Sequence, residues 1–358
     1  MIKDILLKEK YDKKDIIRLL EAQGEEQDLL FQFAKDIKSQ YVGNKVYLRG
    51  LIELSNICAK DCLYCGIRSS NHDVHRYNLS DEEVLNAATY AYEQNYASLV
   101  IQSGELTSRK FTSRITRLLK EIQKLSNNEM HVTLSMGEQS IDVFKEWRKA
   151  GAHRYLLRIE ASNRDLYEKI HPVNKLHAYD KRMQALKDLR EADYQVGTGV
   201  MIGLPYQTIE DLASDLIFMR DIDIDMVGMG PYLEHIDTPL YADKDLLLSK
   251  EERFYLSLKM IAILRIMMKD INIAASTAME TIHPQGREKA FEFGGNVFMP
   301  NLTPFRVRAD YKLYENKPSS DKDPGDFTKR VEKKLSSFNN QIAYGETGDP
   351  LHYEKRKS

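Results

Sequence analysis

Apolar positions along this chain follow two periods, and the change from one to the other sets its organisation. Ile16, Ile17, Leu19 and Leu20, then Leu29, Leu30, Phe31 and Phe33, recur near helical spacing, with Asp28 and Lys35 on the polar side. Residues 1–45 therefore read as a helical extension packed on a main domain. From there on, short runs rich in β-branched residues alternate with longer amphipathic stretches. The runs predict eight strands: Val46–Leu54, Ala97–Gln102, His131–Ser135, Arg154–Ile159, Gln195–Ile202, Asp225–Gly230, Ile271–Thr277 and Asn296–Met299. The stretches between them predict helices at Asp81–Gln94, Thr112–Leu125, Ile141–Ala150, Tyr179–Glu191, Ile209–Arg220, Lys250–Met268 and Gly286–Phe293. A strand every ~30–50 residues suits right-handed βαβ crossovers. Eight such units predict an α/β fold, a closed (β/α)8 TIM barrel over residues 46–317; a doubly wound open sheet is the alternative. Residues 318–358 break the rhythm. Pro318–Phe327 reads as an exposed connection, Arg330–Phe338 as one short helix, and the charged end Glu354–Ser358 as frayed.

Composition narrows the class. Of 358 residues 42% are apolar and 30% charged, which excludes a disordered chain. With 52 Lys and Arg against 54 Asp and Glu, the net charge is −2, and nothing electrostatic points to a nucleic-acid partner. No run approaches the ~20 apolar residues of a membrane span, and the first residues lack the apolar core of a signal peptide. The reading is a soluble, cytoplasmic protein without a membrane partner.

The sharpest feature is cysteine. All three cysteines, Cys58, Cys62 and Cys65, fall within eight residues, directly after the first predicted strand. An odd count packed this closely excludes a disulfide framework and fits a reducing compartment. In a barrel that loop lies on the C-terminal face, where active sites sit. Three thiolates in one loop suit an iron–sulfur centre; a [4Fe–4S] cluster ordinarily takes four, so three leave one iron open for chemistry. Tyr64, just before the last cysteine, would shield the cluster or stack on a nucleoside. The competing reading is structural zinc, completed by His72 or His75, although no second C-x2-C knuckle is present.

The spacing C-x3-C-x2-C resembles the signature of the radical S-adenosylmethionine (SAM) superfamily. That resemblance implies one open-site [4Fe–4S] cluster, with SAM bound to the open iron and reduced to methionine and a 5′-deoxyadenosyl radical. Gln102-Ser103-Gly104-Glu105 is similar to the family's GGE element, with Ser103 in place of the first glycine. Glu105 and the Gly104 backbone would then hold the SAM amino group, with Gln102 beside them. Later strand ends carry polar or glycine-rich sequence, as a ligand-facing rim should: Thr133 and Ser135, Arg158 and Glu160, Met201, Met229, Ser276 and Thr277, and Asn301. Arg154, Leu156, Arg158 and Glu160 alternate onto one face, and charges facing a barrel interior must be paired or ligand-bound. Glu160 reads as an acceptor for SAM and Arg158 as an anion anchor, a plain structural Arg–Glu pair being the alternative. Arg182 would meet the SAM carboxylate, and Met201 the adenine.

The resemblance extends over residues 40–317 to the biotin-synthase-like branch, and within it to the HydE family of FeFe-hydrogenase maturation enzymes. Tyr41-Val42-Gly43, Ser55-Asn56-Ile57-Cys58, Arg154-Tyr155-Leu156-Leu157-Arg158, Thr277-Ala278-Met279 and Met299-Pro300-Asn301 carry it, with Arg308 to Tyr314. By that resemblance Ser135, Glu160 and Arg182 face SAM, while Arg158, Thr277 and Tyr311 face a small anionic or organometallic substrate. An external electron donor and other hydrogenase maturases would be partners. Two departures stand out. Ile159 replaces the histidine of the family's Arg-His-Glu-Thr pattern, and no cysteine follows Cys65. A paralogue with another substrate, a methylornithine-synthase-like mutase and an iron–sulfur scaffold remain alternatives.

Overall fold

The computed structural model describes residues 2–318 and 324–357, without the side chains of 324–327. Its strands are β1 Lys45–Leu48, β2 Gly50–Ser55, β3 Ser98–Ser103, β4 His131–Ser135, β5 Ala152–Leu156, β6 Gln195–Thr198, β7 Met201–Ile202, β8 Met226–Val227, β9 Gly230–Pro231, β10 Asn272–Ile273, β11 Val297–Phe298 and β12 Gln341–Ala343. Seven of them form a parallel sheet in the order β10-β8-β6-β5-β4-β3-β2. The two ends of that sheet meet through β11, which pairs with β1 and bridges to Ala274 after β10; Leu51 of β2 bridges to Asn301 after β11. This closure builds the (β/α)8 barrel and removes the open-sheet alternative. Several expected strands are interrupted. The first breaks at Arg49, and that at 195–202 is split at Gly199-Val200, with β7 pairing onto β9 instead.

Helices cover the outside because their apolar stripes match the outward residues of the strands. Leu99 and Ile101 of β3, Val132 and Leu134 of β4 and Tyr155 of β5 join the same core as Ile115, Leu118 and Ile122 of helix Arg109–Leu125 and Trp147 of helix Ile141–Lys149. Starts are fixed locally. Ser80, Thr208 and Ser249 form capping boxes with Glu83, Asp211 and Glu252. The N-terminal helices Lys13–Leu20 and Glu25–Tyr41 lie against the barrel, where Lys259 donates to the Leu20 carbonyl and the buried Lys38 to that of Phe291.

The end of the chain corrects an expectation. Of the connection expected at Pro318–Phe327, residues 319–323 lie outside the described residues, and helix Pro324–Ser337 begins within the range. As far as Lys357, the last residue described, the charged terminus is helical and not frayed. β12 adds in parallel to β1, and the following segment closes the floor of the barrel. There Asp349 accepts from the buried Arg154, the Gly348 carbonyl takes Arg49 and Asn272, and the Thr347 carbonyl takes Ser98. Helix Leu351–Lys357 then meets a set of aspartates: His352 lies between Asp223 and Asp270, Lys355 pairs with Asp270, and Arg356 with Asp223 and Asp225. Charges that look solvated in sequence are held because the strand-start loops bring opposite charges to one place. Among the described residues no helix is long and apolar enough to cross a membrane.

Candidate active site

At the C-terminal end of the strands the barrel encloses a cavity of about 380 Å³. The cysteine loop forms one wall. Its backbone is held by Arg76, whose guanidinium donates to the carbonyls of Asn56, Ile67, Arg68 and Asn71 at 2.7–2.8 Å. Cys58 Sγ accepts from the backbone N–H groups of Lys60 and Glu105 at 3.4 and 3.3 Å. Gly104 makes this approach possible. A Cβ there would lie 2.3 Å from the Ile57 carbonyl oxygen and 2.7 Å from Cys58 Cβ. Burial pushes all three thiols up, Cys62 to about 12, so thiolates here need a compensating metal charge. Among the described residues no three His, Cys, Asp or Glu side chains are grouped as a single bound ion requires. Three thiols on one loop would each hold one iron of a polynuclear centre.

Beside the loop lies a buried charge network. Lys60 Nζ is 2.9 Å from Glu138 Oε2 and 3.2 Å from Glu105 Oε1, and Arg182 Nε donates to Glu138 Oε1 at 2.7 Å. Burial alone would raise Glu138, but Arg182 and Lys60 outweigh it and hold the carboxyl at about 2. Glu105 goes the other way, raised by its own burial. Arg182 also donates to the Arg158 carbonyl, and Arg158 lies 2.9 Å from Glu160. Burial raises Glu160 too. Glu105 Oε1 and Glu160 Oε2 are buried, belong to residues lining the cavity, and receive no hydrogen bond; each touches one cation, Lys60 at 3.2 Å and Arg158 at 2.9 Å, and keeps acceptor capacity to spare. Two acceptors so placed fit a ligand carrying an ammonium and hydroxyl groups. Tyr64 turns its hydroxyl to His171, 3.3 Å away, and lines the same cavity.

A second part of the lining is organised by Glu53, fully buried on β2. It takes Lys317 on Oε1, with Gln102 at 3.3 Å, and Asn301 on Oε2 at 3.2 Å. Lys317 sits over the Tyr311 ring at 4.8 Å. Thr277 Oγ1 and Tyr314 Oη are 2.8 Å apart, and Arg158, Arg287 and Arg308 complete a cationic lining.

Most expected residues meet here: Cys58, Cys62, Tyr64, Cys65, Gln102, Gly104, Glu105, Ser135, Arg158, Glu160, Arg182, Met201, Ser276, Thr277, Asn301 and Tyr311 all line the cavity. Thr133 and Met229 do not. Thr133 stands two residues before Ser135 on the same face of β4, one layer deeper, in register with Val100 and Arg154. Met229 lies between Gly228 and Gly230, which face the cavity, so strand alternation turns it into the hydrophobic core. Arg154 likewise belongs to the barrel floor and not to the ligand end. Ile159 is in the core and does not line the cavity, so its exchange for histidine leaves this lining unaltered. Sequence reasoning missed Glu53, Lys60, Arg76, Glu138 and Lys317. Glu53 had a signal, as the one charge in the apolar run Gly50–Ser55.

A closed parallel barrel carrying a three-cysteine loop on its C-terminal face defines a class, and the comparisons agree with it. The model of the radical SAM superfamily matches residues 52–219. The chain is 43% identical to the [FeFe] hydrogenase maturase subunit HydE of Thermotoga maritima, over 81% of this chain and 80% of that protein. It is 26% identical to 3-methylornithine synthase of Methanosarcina acetivorans, over 79% and 77%. Among solved structures it resembles methylornithine synthase (PylB), with TM-score 0.79 at 21% identity over 96% and 97% of the two chains. It also resembles the maturase HydG, with TM-score 0.80 at 20% identity over 100% and 76%. The chain belongs to the radical SAM superfamily, whose enzymes use a [4Fe–4S] cluster and SAM, and within it to the HydE family.

Proposed function

We propose that this enzyme acts in the cytoplasm on a small anionic or organometallic substrate during maturation of the FeFe-hydrogenase cofactor. The observation that carries the reading is one cavity with two unlike walls. One holds three thiols beside a network of paired charges in which two carboxylate oxygens receive no hydrogen bond; the other holds Lys317, Arg287 and Arg308 with the hydroxyl groups of Thr277 and Tyr314. Cys58, Cys62 and Cys65 would ligate the cluster. Glu105 with the Gly104 backbone, Gln102, Ser135, Glu160, Arg182, Tyr64 and Met201 would surround SAM. Arg158, Ser276, Thr277, Asn301 and Tyr311 would face the substrate. When bound, cluster and SAM supply a 5′-deoxyadenosyl radical by reductive cleavage, the electron coming from an external donor.

The chain's own part is to orient and to exclude. The charge network anchors the amino-acid end of SAM, and apolar side chains such as Leu156, Leu157 and Met201 keep water from the space between the walls. Arg158 joins the two sides, since its guanidinium neutralises Glu160 while lining the cavity. Other hydrogenase maturases would supply or accept the substrate.

The test is anaerobic reconstitution followed by turnover. We expect about four irons per chain, release of 5′-deoxyadenosine under reduction, and conversion of an iron–cysteine carbonyl–cyanide precursor to an adenosylated product. Replacing any one of the three cysteines by alanine should abolish cluster assembly and cleavage together. One bound zinc without SAM cleavage refutes the reading. SAM cleavage with no turnover of the precursor moves the assignment to a paralogue with another substrate.

A further inference from the structure

Lys60 stands between the first two cysteines, in a loop position where an ammonium ordinarily reaches for water. Its side chain is instead 4% exposed. Nζ lies 2.9 Å from Glu138 Oε2 and 3.2 Å from Glu105 Oε1, and donates to the Leu176 carbonyl. The Glu105 carboxylate is also tied to the loop that carries Glu138, because the Glu138 backbone N–H donates to Glu105 Oε2 at 3.0 Å. Gly137 permits this with φ of 71°; a Cβ there would come within 2.0 Å of that same oxygen. Arg182 holds the far side of Glu138. Two buried cations thus face two buried carboxylates, drawn from the cysteine loop, the loops after β3 and β4, and helix Tyr179–Glu191. Burying four charges is unfavourable unless each is held in place, so the arrangement is rigid or it fails. Within it Glu105 Oε1 alone among the four carboxylate oxygens receives no hydrogen bond.

We propose that Lys60 is a positioning residue for SAM. Its ammonium, 3.2 Å from Glu105 Oε1, fixes the carboxylate so that this oxygen, which receives no hydrogen bond and has room for a second cation, is presented to the ligand's amino group. By the same contact it ties the cysteine loop to that carboxylate, so that the cluster and the amino-acid end of SAM share one support. Without the ammonium, Arg182 and the half-exposed Lys181, 3.3 Å from Glu138 Oε2, still hold Glu138, but Glu105 loses its ion pair and faces the Glu138 charge, and repulsion turns it off its present line. The proposal rests on the SAM-site reading given above.

The test measures binding, not turnover. Cluster-loaded wild type, Lys60→Met and Lys60→Arg are titrated with SAM alone, following the EPR spectrum of the reduced cluster, with iron counted per chain. Iron is expected to be equal in all three, because the thiols are intact. The dissociation constant of Lys60→Met should rise about tenfold or more, equivalent to about 1.4 kcal/mol. Lys60→Arg, which keeps the charge, should recover most of that loss. A purely structural tie would lower the melting temperature and leave the dissociation constant alone. Lys60→Met binding SAM as tightly as wild type overturns the proposal, as does Lys60→Arg binding as weakly as Lys60→Met. Should Lys60→Met lose its iron, Glu138→Gln is titrated instead, since it weakens the second anchor of Lys60 while every residue of the cysteine loop is kept. Weakened binding there supports the proposal and unchanged binding overturns it. Wild type that binds no SAM would sink the underlying site reading.

Discussion

Replacing Asp349 by alanine should destabilise the barrel from its floor. The Arg154 side chain is fully buried and pairs with this carboxylate. Arg49, also buried, adds a second positive charge against it, and His131 lies 3.2 Å away. Breaking a buried pair from one side typically costs about 3–5 kcal/mol, because the remaining charge is stranded. Asp349 is 20% exposed, and Arg154 keeps hydrogen bonds to Gln195, Ser98 and the Thr347 carbonyl. The expected loss is therefore at the low end, about 3 kcal/mol. An unfolding entropy of about 2.1 cal/mol/K per residue gives roughly 0.75 kcal/mol/K for this chain, so the melting temperature should fall by about 4 °C. Anaerobic thermal melts of the cluster-loaded protein, followed by circular dichroism, measure it. His131 and Arg154 hold the Asp349 carboxyl well below its ordinary range, against burial. Its contribution is therefore present above about pH 4 and lost as pH falls through the depressed value. Asp349→Ala should accordingly flatten the acid limb of the stability profile. The double variant Arg154→Met/Asp349→Leu strands no charge at this pair and should recover part of the loss. A fall below about 1 °C for the single variant, or a double variant equally unstable, refutes the reasoning.

Three further outcomes follow from other sites. Hydrogen bonds to Asp270 and Asp223 raise His352 against the effect of burial. The stability it contributes is complete below about pH 6.5 and disappears as pH rises through the raised value. Melts of His352→Gln followed upward in pH from below the ordinary histidine value of about 6.5 should lose this slope; an unchanged slope contradicts the assignment. Gly104→Ala should lower iron content after reconstitution, because its Cβ cannot fit against Ile57 and Cys58; full iron content would show that the loop yields. Thr133 Oγ1 is buried without a hydrogen bond, so Thr133→Val should leave the melting temperature unchanged or raise it. A loss above about 1 kcal/mol would reveal a partner for that hydroxyl.

Local periodicity carried much of the fold. The helices expected at Tyr179–Glu191 and Gly286–Phe293 have those bounds in the structure, because their limits depend on amphipathic spacing and nearby end signals. The short helices Arg164–Ile170 and Thr277–Ile282 were not legible, since one or two turns leave too few apolar repeats. Alternation identified which residues share a face of a strand, but not how deep each lies. Ser135 and Thr133 therefore read alike, and the layering of the closed barrel separates them.

The sequence by itself determined the (β/α)8 rhythm and the three-cysteine loop, with its iron–sulfur chemistry, because both are written in short stretches of chain. Only the tertiary structure decided what the long-range charges do. Glu53 and Lys317 are 264 residues apart, and Lys60 meets Glu138 across 78. The tail from Glu354 has the composition of a solvated end, and Asp193, Asp223, Asp225 and Asp270 are scattered along the chain. Barrel closure brings these aspartates to one place, where the tail's cations are held by opposite charge instead of by water.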